Sequence, residues 1–104
     1  MPTIEIHGQC AAGFEPVKEA FAELFESSGE AGSSCAVYVE GELTVNLWAG
    51  RANQEGNAWQ QDTLVNVFSV SKAVTALCVH KAVELGGLDL ERPVADYWPE
   101  YGCQ

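Results

Sequence analysis

The chain has 104 residues, of which 47% are hydrophobic, so it is long enough for one domain with an apolar core and no more. It carries 15 acidic and 5 basic side chains, which gives a formal net charge of −10. This balance argues against contacts with nucleic-acid phosphates or anionic membrane surfaces. We therefore expect neither nucleic acid nor a membrane among its partners.

Targeting and metal-binding signals are absent from the sequence. No segment reaches the apolar length of a membrane span, and the start, Met-Pro-Thr-Ile-Glu-Ile-His, lacks the basic head and apolar stretch of a secretory signal. The four cysteines are far apart, without a C-x-x-C pair or an adjacent histidine: Cys10, Cys35, Cys78 and Cys103. This spacing disfavours zinc, and we expect reduced thiols in a cytoplasmic protein without a cofactor.

The first half of the chain predicts one helix and one hairpin. Within residues 1–13, Gly8 and Gly13 bracket at most a short extended piece. Glu15-Pro16-Val17 begins an amphipathic helix that Ser27-Ser28-Gly29 ends. Apolar and polar residues then alternate from Ser33 to Ala49, which predicts a β-hairpin with its turn at Glu40-Gly41-Glu42. In the polar loop that follows, we expect Trp59 to pack against the sheet rather than to stack on a ligand.

The second half contains a long apolar helix with a charged residue in its first turn. From Val70 to Ala82 the segment is apolar nearly all round, which is typical of a helix buried in a core. It ends at Leu85-Gly86-Gly87. A further helical turn or two is expected in Pro93–Trp98, cut short by Pro99.

Ser69 and Lys72 form an S-x-x-K pattern at the start of this apolar helix. Residues three apart share one face of a helix, so the hydroxyl and the amine can meet. Burial and the positive end of the helix dipole would both favour the neutral amine, which could then act as a base toward the serine nucleophile. A chance occurrence of so short a pattern, with Lys72 extending its amine into water, is the alternative interpretation.

The order of these parts resembles the N-terminal portion of the serine β-lactamase and penicillin-binding-protein superfamily, most of all class C β-lactamases and family VIII carboxylesterases. The resemblance spans roughly residues 14–101, and together the matching segments are far more specific than S-x-x-K alone. These segments are Val39–Leu43, Trp48–Gly50, Asp62-Thr63, Phe68–Ala76, Glu84–Leu90 and Pro93–Glu100. The implied fold class is α+β, an N-terminal fragment of the serine β-lactamase-like fold with an amphipathic helix, an antiparallel hairpin and a buried S-x-x-K helix. We expect residues 1–104 to be a partial domain, incomplete at the C-terminus.

The resemblance implies catalytic roles at two positions only. Ser69 would be the acyl-accepting nucleophile, and Lys72 would receive or relay its proton. The backbone N–H of Ser69 would supply half of an oxyanion hole. In the complete protein, the substrate would be a small-molecule ester or amide.

Two elements that the family uses are not found in the sequence. One is a Tyr-x-Asn or Ser-x-Asn signature after the lysine, and the other is a late strand with Lys-Thr-Gly or an equivalent. Tyr97 and Tyr101 lack an asparagine at the required offset, and we assign them no chemistry. His7 and His80 are isolated in the sequence, and we interpret them as ordinary histidines that are either on the surface or hydrogen-bonded.

Two hypotheses follow. In the first, the chain is the N-terminal piece of a serine hydrolase of esterase or β-lactamase type, inactive or weakly active by itself. In the second, it is a non-catalytic structural or interaction module that retains the family's start. Under either hypothesis an uncovered apolar face would favour self-association or a partner.

Overall fold

The computed structural model of the chain describes residues 4–103, and its clearest element is the predicted hairpin. Strands β2 (Gly32–Val39) and β3 (Glu42–Gly50) pair antiparallel. Both residues of the connecting turn have positive φ, 51° at Glu40 and 84° at Gly41. This is the backbone of a two-residue turn whose twist matches that of the flanking strands, and it favours glycine at its second position. The predicted hairpin is confirmed.

A third strand completes the sheet. Strand β1 (Ile6–Cys10) pairs antiparallel with β3, so the order is β1-β3-β2 and β3 lies in the middle. The sequence predicts only a possible short extended piece between Gly8 and Gly13, whereas the strand begins at Ile6 and runs through Gly8. Gly8 has φ +103°, and an added Cβ would lie 1.9 Å from the carbonyl oxygen of Asn46. The close approach of the β1 and β3 backbones therefore explains why position 8 is a glycine.

Helix α1 (Glu15–Ser27) covers one face of this sheet. It begins and ends where the sequence predicts, with a proline in its first turn. Its buried residue Phe21 packs with three fully buried side chains of β3, namely Val45, Leu47 and Ala49. The strand positions are two apart and so point to the same face. This cluster is the apolar core.

Trp59 packs against the backbone of the sheet, as predicted. Its side chain is 7% exposed. A Cβ added at Gly32, the first residue of β2, would lie 2.5 Å from Trp59 Cε3. The absence of a side chain at Gly32 therefore lets the indole approach the strand. Trp59 also donates its backbone N–H to the Gly50 carbonyl at 2.8 Å, which ties the loop to the end of β3.

The chain divides into two compact units, and the second begins at Val65. It contains a short 3₁₀ helix (Phe68–Val70), helix α2 (Ser71–Glu84) and two further 3₁₀ helices (Val94–Asp96 and Pro99–Gly102). Helix α2 ends at the predicted glycine stop, where Gly86 has φ +76°. Among residues 4–103, no helix combines the length and the apolar character that a membrane crossing requires.

Helix α2 differs from the prediction in its burial. It lies where the sequence places it, yet it contains no buried residue, and Val74 and Leu77 are 57% and 69% exposed. The prediction of a buried S-x-x-K helix is therefore wrong for this chain. Its apolar side chains lie all round the helix, and the short 3₁₀ helices of the same unit cannot cover them all.

Candidate active site

Ser69 and Lys72 meet at the start of the second unit's helix. Ser69 lies in the 3₁₀ helix Phe68–Val70, and Lys72 is the second residue of α2. Lys72 Nζ donates a hydrogen bond to Ser69 Oγ at 2.8 Å. The structure thus brings together the two predicted site residues, within the distance that proton transfer between a nucleophile and a base requires.

The backbone in front of Ser69 takes an unusual conformation. Phe68 has φ +47°, and a positive φ is sterically costly for a large side chain. The N–H of Phe68 donates to Asn66 Oδ1 at 3.0 Å, and the N–H of Val70 donates to the Val67 carbonyl at 3.1 Å. These two bonds close a tight turn from which the helical backbone continues through Ser69 into α2.

Sequence reasoning assigned no role to Asn66 or Phe68. The signal that could have found Asn66 is its residue type, because asparagine side chains often accept a hydrogen bond from the backbone two residues on. The positive φ of Phe68 has no comparable signal, since aromatic residues do not favour this region.

Both side chains of the pair are exposed. The burial of Lys72 that the sequence predicts is therefore not found in this chain. Lys72 lies in the first turn of α2, as predicted. Within residues 4–103, no carboxylate forms an ion pair with Lys72, whereas Lys81 on the same helix pairs with Glu84.

Tyr97 has a local structural contact. Its hydroxyl accepts a hydrogen bond from the backbone N–H of Asp89 at 2.8 Å. The guanidinium of Arg92 lies over its ring at 5.2 Å from the centroid, and Arg92 also pairs with Asp96. These contacts tie together the segment after α2.

The two histidines lie on β1 and on α2. His7 is on β1, where its ring stacks on Trp48 at 6.4 Å between centroids and Nδ1 lies 3.9 Å from Glu5. His80 is exposed on α2, two turns beyond Lys72. The four cysteines are all free thiols.

Comparison with known proteins identifies the family. A family model described as Beta-lactamase matches residues 17–103, which is most of the chain. The chain belongs to the beta-lactamase family. The α+β fold agrees with this assignment: a crystal structure of a family VIII carboxylesterase superposes with a TM-score of 0.90 at 41% identity, over 95% of this chain and 27% of that one.

Two curated relatives are also similar to this chain over most of its length. Esterase/beta-lactamase LipL of Mycobacterium tuberculosis is 37% identical over 94% of this chain and 23% of its own length. The mitochondrial serine beta-lactamase-like protein LACTB of Homo sapiens is 31% identical over 83% of this chain and 18% of its own length. The chain therefore spans about a quarter or less of the length of the relatives it matches.

Proposed function

We propose that this chain carries the nucleophile and the base of a serine hydrolase that acts by acyl transfer, with Ser69 as nucleophile and Lys72 as base. The observation that supports the proposal most directly is the 2.8 Å contact between Lys72 Nζ and Ser69 Oγ. A serine hydroxyl is a weak nucleophile at neutral pH, and a base within hydrogen-bond distance is what activates it.

In the proposed reaction, Ser69 Oγ attacks the carbonyl carbon of the substrate while its proton passes to the unprotonated amine of Lys72. The carbonyl oxygen becomes an oxyanion, for which the backbone N–H of Ser69 is the proposed donor on this chain. Collapse of the tetrahedral intermediate breaks the bond to the alcohol or amine leaving group, which takes up the proton that Lys72 received from Ser69. Water then hydrolyses the ester on Ser69 and releases the acid.

The substrate class we propose is a small-molecule ester or lactam. The names of two similar proteins, an esterase/beta-lactamase and a family VIII carboxylesterase, support this choice. The tyrosine that assists proton transfer in the family and the strand that supplies a second oxyanion donor have no counterpart in this sequence. Loss of one oxyanion donor alone typically costs about 10²–10³ in rate, so we expect weak or no turnover from this chain.

Covalent labelling tests the proposal without requiring turnover. The chain is treated with a fluorophosphonate or a β-lactam, and the modified residue is located by mass spectrometry. We expect one adduct, on Ser69, that is lost in Ser69→Ala and kept in Ser71→Ala, a matched serine two residues further along the same segment. No adduct and no p-nitrophenyl ester hydrolysis would instead favour the non-catalytic module, for which the exposed apolar surface of α2 would be the contact face.

A further inference from the structure

We propose that Asn66 is a positioning residue for Ser69. Its side chain would hold Phe68 in the left-handed conformation that directs Ser69 toward Lys72. The inference rests on the proposed function for its catalytic consequence, but its structural content can be tested independently.

The conformation of Phe68 requires support from its surroundings. Among residues 4–103, the non-glycine residues with positive φ are Glu40 and Phe68. Glu40 lies in the two-residue turn of the hairpin, where this backbone is required. Phe68 has no such turn between strands, and its side chain is 79% exposed, so packing of the ring does not fix the backbone. Strained backbone of this kind persists only where neighbouring groups hold it, and it is found at functional sites more often than elsewhere.

Asn66 supplies that support through one directed contact. Its Oδ1 accepts the N–H of Phe68 at 3.0 Å, a bond that fixes the peptide plane between Val67 and Phe68. That plane sets φ of Phe68, and Phe68 immediately precedes Ser69. The conformation at Phe68 therefore determines the direction in which the helical segment leaves the turn.

The contact between Ser69 and Lys72 depends on this direction. The bond from Lys72 Nζ requires helical backbone from Ser69 onward, and that backbone begins directly after Phe68. If Phe68 relaxed to a negative φ, the turn closed by Val70 and Val67 would open, and the first helical turn would lose its start. Ser69 would then populate orientations in which its hydroxyl is out of reach of the amine.

The test compares Asn66→Ala with the double variant Asn66→Ala/Phe68→Gly. Glycine adopts positive φ without the steric cost, so it should restore the turn that the loss of Asn66 weakens. We expect the rate of Ser69 labelling by a fluorophosphonate to fall about three- to tenfold in Asn66→Ala, the size expected for one hydrogen bond, and to recover in the double variant. Asn53→Ala is the matched control, since Asn53 Oδ1 also accepts a backbone N–H, that of Asn57 four residues on, within the first unit. It should leave the rate unchanged.

A second readout separates this inference from the proposed function. Hydrogen exchange of the Phe68 amide should accelerate about three- to tenfold in Asn66→Ala, whether or not Ser69 reacts. If the unmodified chain formed no adduct, that result would contradict the proposed hydrolase function but not the positioning role of Asn66. The inference is overturned if a structure of Asn66→Ala retains both the positive φ of Phe68 and the bond between Lys72 and Ser69. An Asn66→Ala labelling rate equal to that of the unmodified chain, or no recovery in the double variant, overturns it as well.

Discussion

Lys72 Nζ lies 2.8 Å from Ser69 Oγ although both side chains are exposed to solvent. The contact is therefore produced by the spacing of the two residues along a helical backbone and not by confinement in a pocket. Because the contact is local, single substitutions can test the pair without disturbing the rest of the chain.

Replacing Lys72 by methionine should reduce labelling of Ser69 by about 10²–10⁴-fold, the usual contribution of a positioned general base. The measurement is the second-order rate constant for fluorophosphonate modification, followed by mass spectrometry. Lys81→Met removes the same charge from the same helix, where Lys81 pairs with Glu84. Because an exposed ion pair contributes little energy, this change should alter the labelling rate by less than about twofold. Equal losses in the two variants would show that Lys72 acts only through net charge.

Leu47→Ala should destabilise the first unit by about 2–5 kcal/mol, because the side chain is 1% exposed and its loss leaves a cavity between α1 and the sheet. Leu64→Ala makes the same chemical change at a side chain that is 95% exposed, and it should alter stability by about 0.5 kcal/mol or less. Urea denaturation followed by tryptophan fluorescence gives both values. Similar costs at the two positions would contradict the assignment of the core.

Comparing Gly50→Ala with Gly56→Ala separates the energetic cost of a positive φ from the cost of a steric clash. Both glycines have positive φ, 89° and 85°. A Cβ at Gly50 would lie 2.3 Å from the Ala31 carbonyl oxygen, whereas a Cβ at Gly56 meets nothing within 4 Å. We expect Gly56→Ala to cost about 1–2 kcal/mol for the left-handed backbone, and Gly50→Ala to cost clearly more. The urea midpoint of each variant measures the difference, and a smaller cost at Gly50 would show that the two backbones do not approach as described.

Tyr97→Phe should release the backbone N–H of Asp89, which the hydroxyl holds at 2.8 Å. A lost hydrogen bond of about 1 kcal/mol corresponds to roughly fivefold faster exchange of that amide. Hydrogen exchange resolved by residue is the measurement. Tyr101→Phe is the control, because its side chain is 63% exposed and its hydroxyl makes no hydrogen bond within residues 4–103. An unchanged Asp89 amide in Tyr97→Phe would refute the contact.

Much of the fold was predictable because its elements have strong local signals. Pro16 marks the start of α1, and Gly41 marks the turn of the hairpin, where only a few residue types fit the backbone. Strand β1 was not predictable in the same way, since Gly8 has no side chain to show which face is buried. Its place in the sheet is determined by pairing with a strand more than thirty residues later in the chain.

The candidate site was also predictable only where the signal is local. The three-residue spacing of Ser69 and Lys72 predicts their contact, because a helical backbone fixes that distance. The bond between Asn66 and Phe68 depends on a rare backbone conformation that residue type does not indicate. The apolar pattern of α2 indicates that the helix requires covering on many sides, but it does not indicate which polypeptide provides the cover. The cytoplasmic location and the catalytic roles stay predictions.

The central position of β3 has a consequence for the order of events during synthesis. The first two strands to leave the ribosome are the outer ones, and they have no pairing with each other. No pairing within the sheet can form before residues of β3 have left the ribosome, when a single late strand supplies partners for both. Nascent chains that still hold β3 inside the ribosome and chains from which β3 has emerged should therefore differ in their resistance to protease.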